Sequence, residues 1–530
     1  MTQRQKTFGF MERQEPMSAA GAAAPAGYKG LYGFHKYWGK KPHEPLAYVI
    51  ERLTKPGQLV LDPFVGSGTV AREALLRSRR FIGFDINPVA IALTRMLVHP
   101  PSVEDVRAAI SDVENKVKDR ISDSYRLSDG EVAAHYLWNE DRITQVWIRG
   151  AKGKTRRESK PTPYDRKLSE RYSRYRSRFA RSPRFFTNGR INSAPEMSLD
   201  DIMTGRAQRN LDILIEAIDD LPHGLRTPLM LCLTAASGQM TKMVFAITDR
   251  GKTSGEKTSK IEVGSWVIGY WRPKVHFEVN VWNCFERRTS KLIRAIEDGD
   301  PLGSTKISDT AEGVLENLAQ TYLFCGDCRQ KMESLPDRSV DLIITDPPHG
   351  DRVPYLELSE FWNGILRKEV DFDREIVFSN AKERGKNADS YVAAMTEFFD
   401  DTPRILSPSG FLVVLFNARQ RKQWAALRNL CNGSKDRKRG SLNYIGQFPC
   451  AYSAGSVVQD NRKKSLKSDY ALVFAKRNVN ESSSRGLGDL YMIPGWSDEL
   501  PDQMNGEYLC RPRPKVFQDI DRVAAPDGFA

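Results

Sequence analysis

Leu59-Val-Leu-Asp-Pro-Phe-Val-Gly-Ser-Gly-Thr69 is the stretch on which the reading of this chain turns. An apolar run, Leu59–Leu61, ends in an acid, Asp62, as a buried strand with a polar tip does. Thr69–Arg79 carries Ala and Leu at helical spacing and predicts a helix. Arg80–Asp85 reads as a second strand, and Asn87-Pro88 opens a second helix over Pro88–Leu97. Strand, helix and strand at this spacing make a βαβ unit. Gly66 and Gly68 lie between strand end and helix start, where a missing side chain lets backbone approach a ligand. Asp62 can accept hydrogen bonds from a cationic amine. Asp85 ends the next strand about 20 residues on, the distance at which a carboxylate reaches a ribose hydroxyl in such units. No Gly-Lys-Ser/Thr follows, so a phosphate-binding loop fits poorly.

The α/β rhythm returns near Thr321. Gln320–Phe324 reads as a strand, Cys328–Ser334 as a short helix and Val340–Thr345 as a buried strand. Ser390–Ile405 and Gln420–Leu430 read as helices, and Gly410–Phe416 and Tyr470–Lys476 as strands. Directly after Val340–Thr345 comes Asp346-Pro347-Pro348-His349. A carboxylate and a proline-fixed carbonyl can both accept from an exocyclic amine and so aim its lone pair, and two prolines hold the acceptors in place. A planar side chain beside them can stack on a base. Upstream, His35-Lys-Tyr-Trp-Gly-Lys-Lys41-Pro42 is a basic aromatic loop.

These strings resemble the amino-methyltransferases that act on DNA. Asp62–Thr69 resembles their motif I, Asp346–His349 their catalytic Asp/Asn/Ser-Pro-Pro-aromatic motif, and His35–Pro42 the motif that closes over the cofactor. Gly326-Asp327 and the run to Thr345 are similar to the lead-in to the catalytic motif. The resemblance implies an α/β, Rossmann-like class I methyltransferase with a mainly parallel seven-stranded sheet, interrupted by a large α+β insertion. It implies S-adenosyl-L-methionine as cofactor. Asp62, Phe64, Gly66 and Gly68 would surround its methionine part, Asp85 would hold its ribose and Asp327 its adenine, with Ser67, Thr69 and Asn87 also cofactor-binding. Lys40 and Lys41 would meet its carboxylate. Asp346, Pro347, Pro348 and His349 would form the catalytic loop, with His349 where the family carries Tyr, Phe or Trp. Tyr355 and Trp362 either line the base pocket or pack in the core.

The expected organisation is a disordered segment over 1–27, a cofactor half over 28–100 and a basic insertion over 101–318. A catalytic half over 319–477 and a tail over 478–530 complete it. Within the insertion, amphipathic helices are predicted around Asn210–Asp220 and Thr227–Ala236, and strands over Trp266–Trp271 and Val275–Trp282. The chain has 530 residues and a formal net charge of +13, concentrated in two places. Lys152–Arg190 holds 14 basic residues and 3 acids, and Arg419–Arg439 holds 8 and 1, leaving a slightly acidic remainder. Localised cations point to a polyanion partner. Arg171, Arg174, Arg178 and Arg181 recur at helical spacing among Tyr and Phe residues, and with Lys438 and Arg439 they are the candidate nucleic-acid contacts.

The implied partner is duplex DNA, with a restriction or defence partner left open, no membrane and a cytoplasmic location. No apolar run approaches the roughly 18 residues of a membrane span, and 7 cysteines suggest free thiols. Cys325-Gly-Asp-Cys328 has no second pair to complete a metal site, so no metal is expected. The leading reading is methylation of an exocyclic base amine in DNA, adenine N6 ahead of cytosine N4, with the base flipped out. An RNA guanine N2-methyltransferase, using the same Asp-Pro-Pro, is the first alternative. The second is a DNA-binding defence or regulatory subunit with a weakened site, which His349 motivates.

Overall fold

A computed structural model describes residues 17–23, 26–149, 156–247, 261–266, 269–303, 305–350, 353–418, 421–432, 442–451, 468–476 and 488–498. In chain order its strands are β1 (Leu59–Asp62), β2 (Arg80–Asp85), β3 (Ala133–Asn139), β4 (Arg142–Arg149), β5 (Arg156–Ser159), β6 (Ala246–Ile247), β7 (Glu262–Val263), β8 (Val275–Val279), β9 (Ile307–Ser308), β10 (Thr321–Cys325), β11 (Val340–Thr345), β12 (Leu406–Phe416), β13 (Asn443–Ala451) and β14 (Ser468–Ala475). The main sheet runs β13-β14-β12-β11-β1-β2-β10-β9. Its pairs from β9 to β12 are parallel, and β14 alone runs against its neighbours. The sheet is therefore large and mostly parallel, with eight strands rather than the expected seven. The extra one is the two-residue edge strand β9.

Parallel strands covered on both faces read as continuous apolar runs. Leu59, Val60 and Leu61 are all fully buried, as are Leu342, Ile343 and Ile344 in the facing strand. Each such side chain contributes about 1.5–3 kcal/mol by leaving water. The chain leaves β1 toward β2 on one side and returns through β11 on the other. The crevice at the carboxyl ends of β1 and β11 is thus a topological switch point, where open α/β sheets hold ligands. Helices Thr69–Leu76 and Pro88–Val98 cover the βαβ unit. Gly68, at φ 85°, is required there: a Cβ would sit 2.8 Å from the Cα of Thr94.

Between β2 and β10 lies a second body. A long helix, Val103–Asp123, capped by Ser102, leads into the four-stranded sheet β5-β4-β3-β8. Helices Gly205–Asp219, His223–Ser237 and Val281–Glu297 pack with it. The last of these was not expected. Val275–Trp282 is a strand only to Val279, because Asn280 caps a new helix by accepting from Asn283 N. Trp266–Trp271 forms no strand among its described residues, since the Trp266 indole bonds the Gly269 carbonyl instead of a ladder. The main sheet resumes at β9, before the expected boundary at 319. Helix Tyr355–Ile365 inserts Leu358, Phe361, Trp362 and Ile365 into this second core. The two bodies are thereby packed together immediately downstream of the Asp346 loop.

Two expectations, a disordered segment over 1–27 and a tail over 478–530, need correction in part. Ala19–Ala23 is a short helix, with Ala22 buried and Met17 N donating to Glu51 Oε2 at 3.0 Å. Past Lys476, Leu490 and Ile493 are buried and Ser497 exchanges backbone hydrogen bonds with Gln447 on β13. Strand β13 itself went unpredicted, and Ser390–Ile405 divides into Ala388–Asp400 and Thr402–Ile405 where Pro403 breaks the helix. No helix of the described residues is long and apolar enough to cross a membrane.

Candidate active site

Asp62 and Thr345 end the adjacent strands β1 and β11, and Thr345 Oγ1 donates to Asp62 Oδ1 at 2.9 Å. Phe64 N donates to the same oxygen at 3.1 Å. Burial nevertheless dominates, and it raises the Asp62 carboxyl from its ordinary value to about 8. A carboxyl so placed ionises readily only when a cation joins it. Asp85 accepts from Gly66 N and Asn87 N, each at 2.8 Å, which fixes the glycine turn against the end of β2. Burial raises it to about 6. Gly66 turns at φ 52° beneath the Tyr37 ring.

Asp62, Phe64, Gly66, Ser67, Thr69, Asp85 and Asn87 all line one cleft of about 770 Å³, mouth included. Lys40, Lys41, Asp346 and Pro348 line it too. The structure thus brings three stretches separated widely in sequence to one crevice at the switch point. Gly68 stands behind this wall as a packing glycine, and the Asn87 amide is spent on Ser359 and Asn363 of helix Tyr355–Ile365.

Asp327 is not among the cleft-lining residues. It caps helix Cys328–Ser334 and is held by Arg329, with Nη2 on Oδ2 at 2.8 Å. The nearby thiols are both raised by burial, Cys325 to about 11. Lys40 spends its ammonium on the carbonyls of Tyr32 and His35, at 2.8 and 2.6 Å. Lys41 instead bridges two carboxylates, 2.7 Å from Asp346 Oδ2 and 2.9 Å from Asp469 Oδ2.

His349 does not present a face to the cleft. It is buried, edge-on to Phe416 at 5.0 Å. Its Nε2 lies 2.9 Å from Asp346 Oδ1 and 3.0 Å from the Leu415 carbonyl. Both neighbours only accept, so Nε2 carries the proton. Each oxygen of Asp346 therefore already has one protein donor. The Pro348 carbonyl accepts from Tyr391 Oη at 2.6 Å. Donor atoms of Asp346, His349 and Asp469 lie within 4.8 Å of one another, a set able to ligate a cation. The Lys41 ammonium between the two carboxylates supplies that charge itself.

Sequence reasoning missed Asp469, which lies on the last strand, far from any motif, in a side chain with no solvent exposure. It also missed Glu375, which lines the cleft, pairs with Arg384 and is raised by burial. Neither residue has a local signal; only the pairing of β14 with β12 and the fold of the loop after helix Tyr355–Ile365 bring them in. Tyr355 lines the cleft and stacks on Tyr37, whereas Trp362 is core, stacked on Trp38 at 4.7 Å.

The arginine row is also rearranged. The helix ends at Tyr172, so Arg171 alone of the four is helical. Asp212 captures the following chain, accepting from Tyr175 Oη, Ser177 Oγ and Arg178 N. Arg181 pairs with buried Glu360 at 2.7 Å, and Phe185 and Phe186 are core. Arg171, Arg174 and Arg178 remain exposed without forming a helical face. Lys438 and Arg439 lie outside the described residues.

A family model described as DNA methylase matches residues 13–96. Over 91 residues the chain is 28% identical to the Type II methyltransferase M.MjaII of Methanocaldococcus jannaschii, covering 17% of each protein. It is 42% identical over 64 residues to M2.DpnII of Streptococcus pneumoniae, covering 11% of this chain and 24% of that one. With M.Cfr9I of Citrobacter freundii it shares 40% over 70 residues, covering 13% and 23%. The chain spans less than a quarter of the length of each of these relatives. The matched segment carries the glycine turn, Asp62, Asp85 and Lys41, the same residues that the fold gathers at the cleft. Over that segment the chain is similar to the adenine-N6/cytosine-N4 DNA methylases, a family whose methyl donor is S-adenosyl-L-methionine.

Proposed function

We propose that this protein is an enzyme that methylates an exocyclic base amine in DNA, adenine N6 ahead of cytosine N4. One observation carries the reading: Asp62 and Asp346, from motifs nearly 300 residues apart, line a single cleft on adjacent strand ends. When bound, S-adenosyl-L-methionine supplies the electrophilic methyl group. The residues present suit it. Asp62 is a carboxyl raised by burial, which a ligand cation would offset, and the Gly66 turn leaves backbone open beside Asp85.

Asp346 and the Pro347 carbonyl would accept from the two N–H bonds of the target amine, leaving its lone pair aimed at the methyl carbon. No hydrogen bond among the described residues uses the Pro347 carbonyl. Asp346 or water would take the proton that the amine loses on accepting the methyl group, whose bonding pair would stay with the cofactor's sulfur. Lys41 and His349 hold the Asp346 carboxylate still from either side. The amine is unreachable in a stacked duplex, so the base must be flipped out. The test is transfer of labelled methyl from S-adenosyl-L-methionine to DNA. Asp346→Ala should abolish transfer and leave cofactor affinity within a few-fold. Tight cofactor binding without transfer to any DNA would sink the reading.

A second reading, a DNA-binding subunit with a weakened site, draws on His349. Its ring is turned inward and occupied, so the aromatic stacking partner of the family's catalytic loop is missing from that position.

A further inference from the structure

The helix Val281–Glu297 carries Arg287, Lys291 and Arg294 at i, i+4 and i+7, with Arg288 beside them. These spacings place the cations along one face. At 1.5 Å per residue the row covers about 10 Å, roughly three steps of one DNA strand at 3.4 Å each. The four cations line an open cleft of about 1560 Å³, mouth included, floored by His135 and Ser265.

No ion pair among the described residues compensates them. Arg287 Nε, Lys291 Nζ and Arg294 Nε donate only to the carbonyls of Asn283, Gly33 and Ser290. Glu286, the carboxylate lining the cleft, turns to the Trp282 indole and Lys118. Several buried arginines of this protein are matched by carboxylates, Arg206 with Glu278, Arg181 with Glu360 and Arg384 with Glu357 and Glu375. Buried Arg72 and Arg79 donate only to carbonyls and the Thr54 hydroxyl and, unlike the four here, line no open cleft. Mutual repulsion is evident. Burial and then Arg288 and Arg294 lower the Lys291 ammonium, and burial and then Arg287 push His135 down to about 4. Uncompensated like charge around an open cleft is relieved by a polyanion.

The cleft is also close to the candidate active site. Lys291 holds the Gly33 carbonyl at 2.6 Å, seven residues before Lys40 of the candidate cleft, and Trp266, next to Ser265 of the basic cleft, packs edge-on against Trp38 of the candidate cleft at 6.3 Å. Lys36 in that segment lies 4.6 Å over Trp266, at the border of the basic cleft.

We infer that Arg287, Arg288, Lys291 and Arg294 bind the phosphate backbone of the DNA strand flanking the base presented to Asp346. The inference rests on the reading that DNA is the substrate and names the surface that holds it. It moves that surface away from the arginines at 171–181.

The experiment is equilibrium binding of the full chain to a fluorescent duplex at 50 to 200 mM salt, with no methyl transfer involved. Arg287→Gln and Arg294→Gln change exposed side chains, and thermal melts would check that they fold. Each should lower the slope of log K against log salt by about one, and the pair by about two. Arg171→Gln with Arg174→Gln serves as comparator and should change the slope less. An unaltered slope in the Arg287/Arg294 pair, or no duplex binding by the unmodified protein, overturns the inference. Failure of methyl transfer with this salt-dependent binding intact would count against the enzymatic reading alone.

Discussion

Thr345 Oγ1 donates a 2.9 Å hydrogen bond to Asp62 Oδ1, joining residues 283 positions apart at the tips of neighbouring strands. The bond sets the end of β1 and the loop after β11, the two proposed halves of the site, in one frame. Asp62 is buried there and raised to about 8 from 3.8. A ligand ammonium requires its ionised form, so binding below pH 8 must expel a proton. Affinity for S-adenosyl-L-methionine should therefore weaken as pH falls from about 8 to 6, by up to about tenfold per unit. Calorimetry in buffers of different ionisation enthalpy would count the proton. Asp62→Asn should bind weakly and without this dependence.

The same shift has a sign for stability. A carboxyl raised on folding keeps its proton better in the folded state, so the cofactor-free fold loses stability as pH climbs from about 4 toward 8. Asp62→Asn keeps the acceptor for Phe64 and Thr345 and removes that loss. Its thermal midpoint should exceed the unmodified protein's at pH 8 and match it near pH 4. A lower midpoint at pH 8 would show that burial does not govern this group.

Lys41 lies between Asp346 and Asp469, with side-chain exposures of 6%, 22% and 0%. Lys41→Met would remove the cation that these two facing carboxylates share. Breaking such a pair costs about 3–5 kcal/mol, and the part exposure of Asp346 puts the loss at the lower end. Asp469→Asn in the same background should recover a good part of it. Urea unfolding of the single and double variants measures the coupling.

His349 Nε2–H is shared by Asp346 and the buried Leu415 carbonyl. His349→Ala should cost about 1–3 kcal/mol by stranding these acceptors. It should slow methyl transfer far more than it weakens cofactor binding. His349→Tyr brings a larger ring against Phe416 and should also slow transfer. A faster Tyr variant would favour the weakened-site reading instead.

In the second body, Arg206 meets Glu278 through two bonds of 2.7 and 2.9 Å, with both side chains 2% exposed and the guanidinium over Tyr125 and Tyr136. Glu278→Gln should destabilise this body by about 3 kcal/mol. Cofactor affinity of the folded protein should remain unchanged, because no residue of the pair lines the cofactor cleft.

Much of the fold was legible because its signals are local. The run Leu59–Asp62, the glycine turn and Asn87-Pro88 each dictate their own backbone, and β1, β2, β11 and helix Cys328–Ser334 lie where the pattern put them. Elements governed by distant partners were not legible. The helix Val281–Glu297 follows β8 after one capping residue, and its first two residues read as more strand. The row Arg171–Arg181 has helical spacing, yet the Asp212 carboxylate draws the chain out of the helix after Tyr172.

The sequence by itself determined a βαβ cofactor unit, a proline-stiffened acidic loop and a concentration of positive charge, because strand runs, glycine turns and prolines act through the backbone beside them. Only the tertiary structure decided the state of the site. Whether His349 stacks or donates, whether Lys41 is offered or paired, and which cations lack a counter-charge depend on Asp469, Leu415 and Glu360. Those partners come from other strands and helices, and burial makes each pairing strong enough to override what the local sequence suggests.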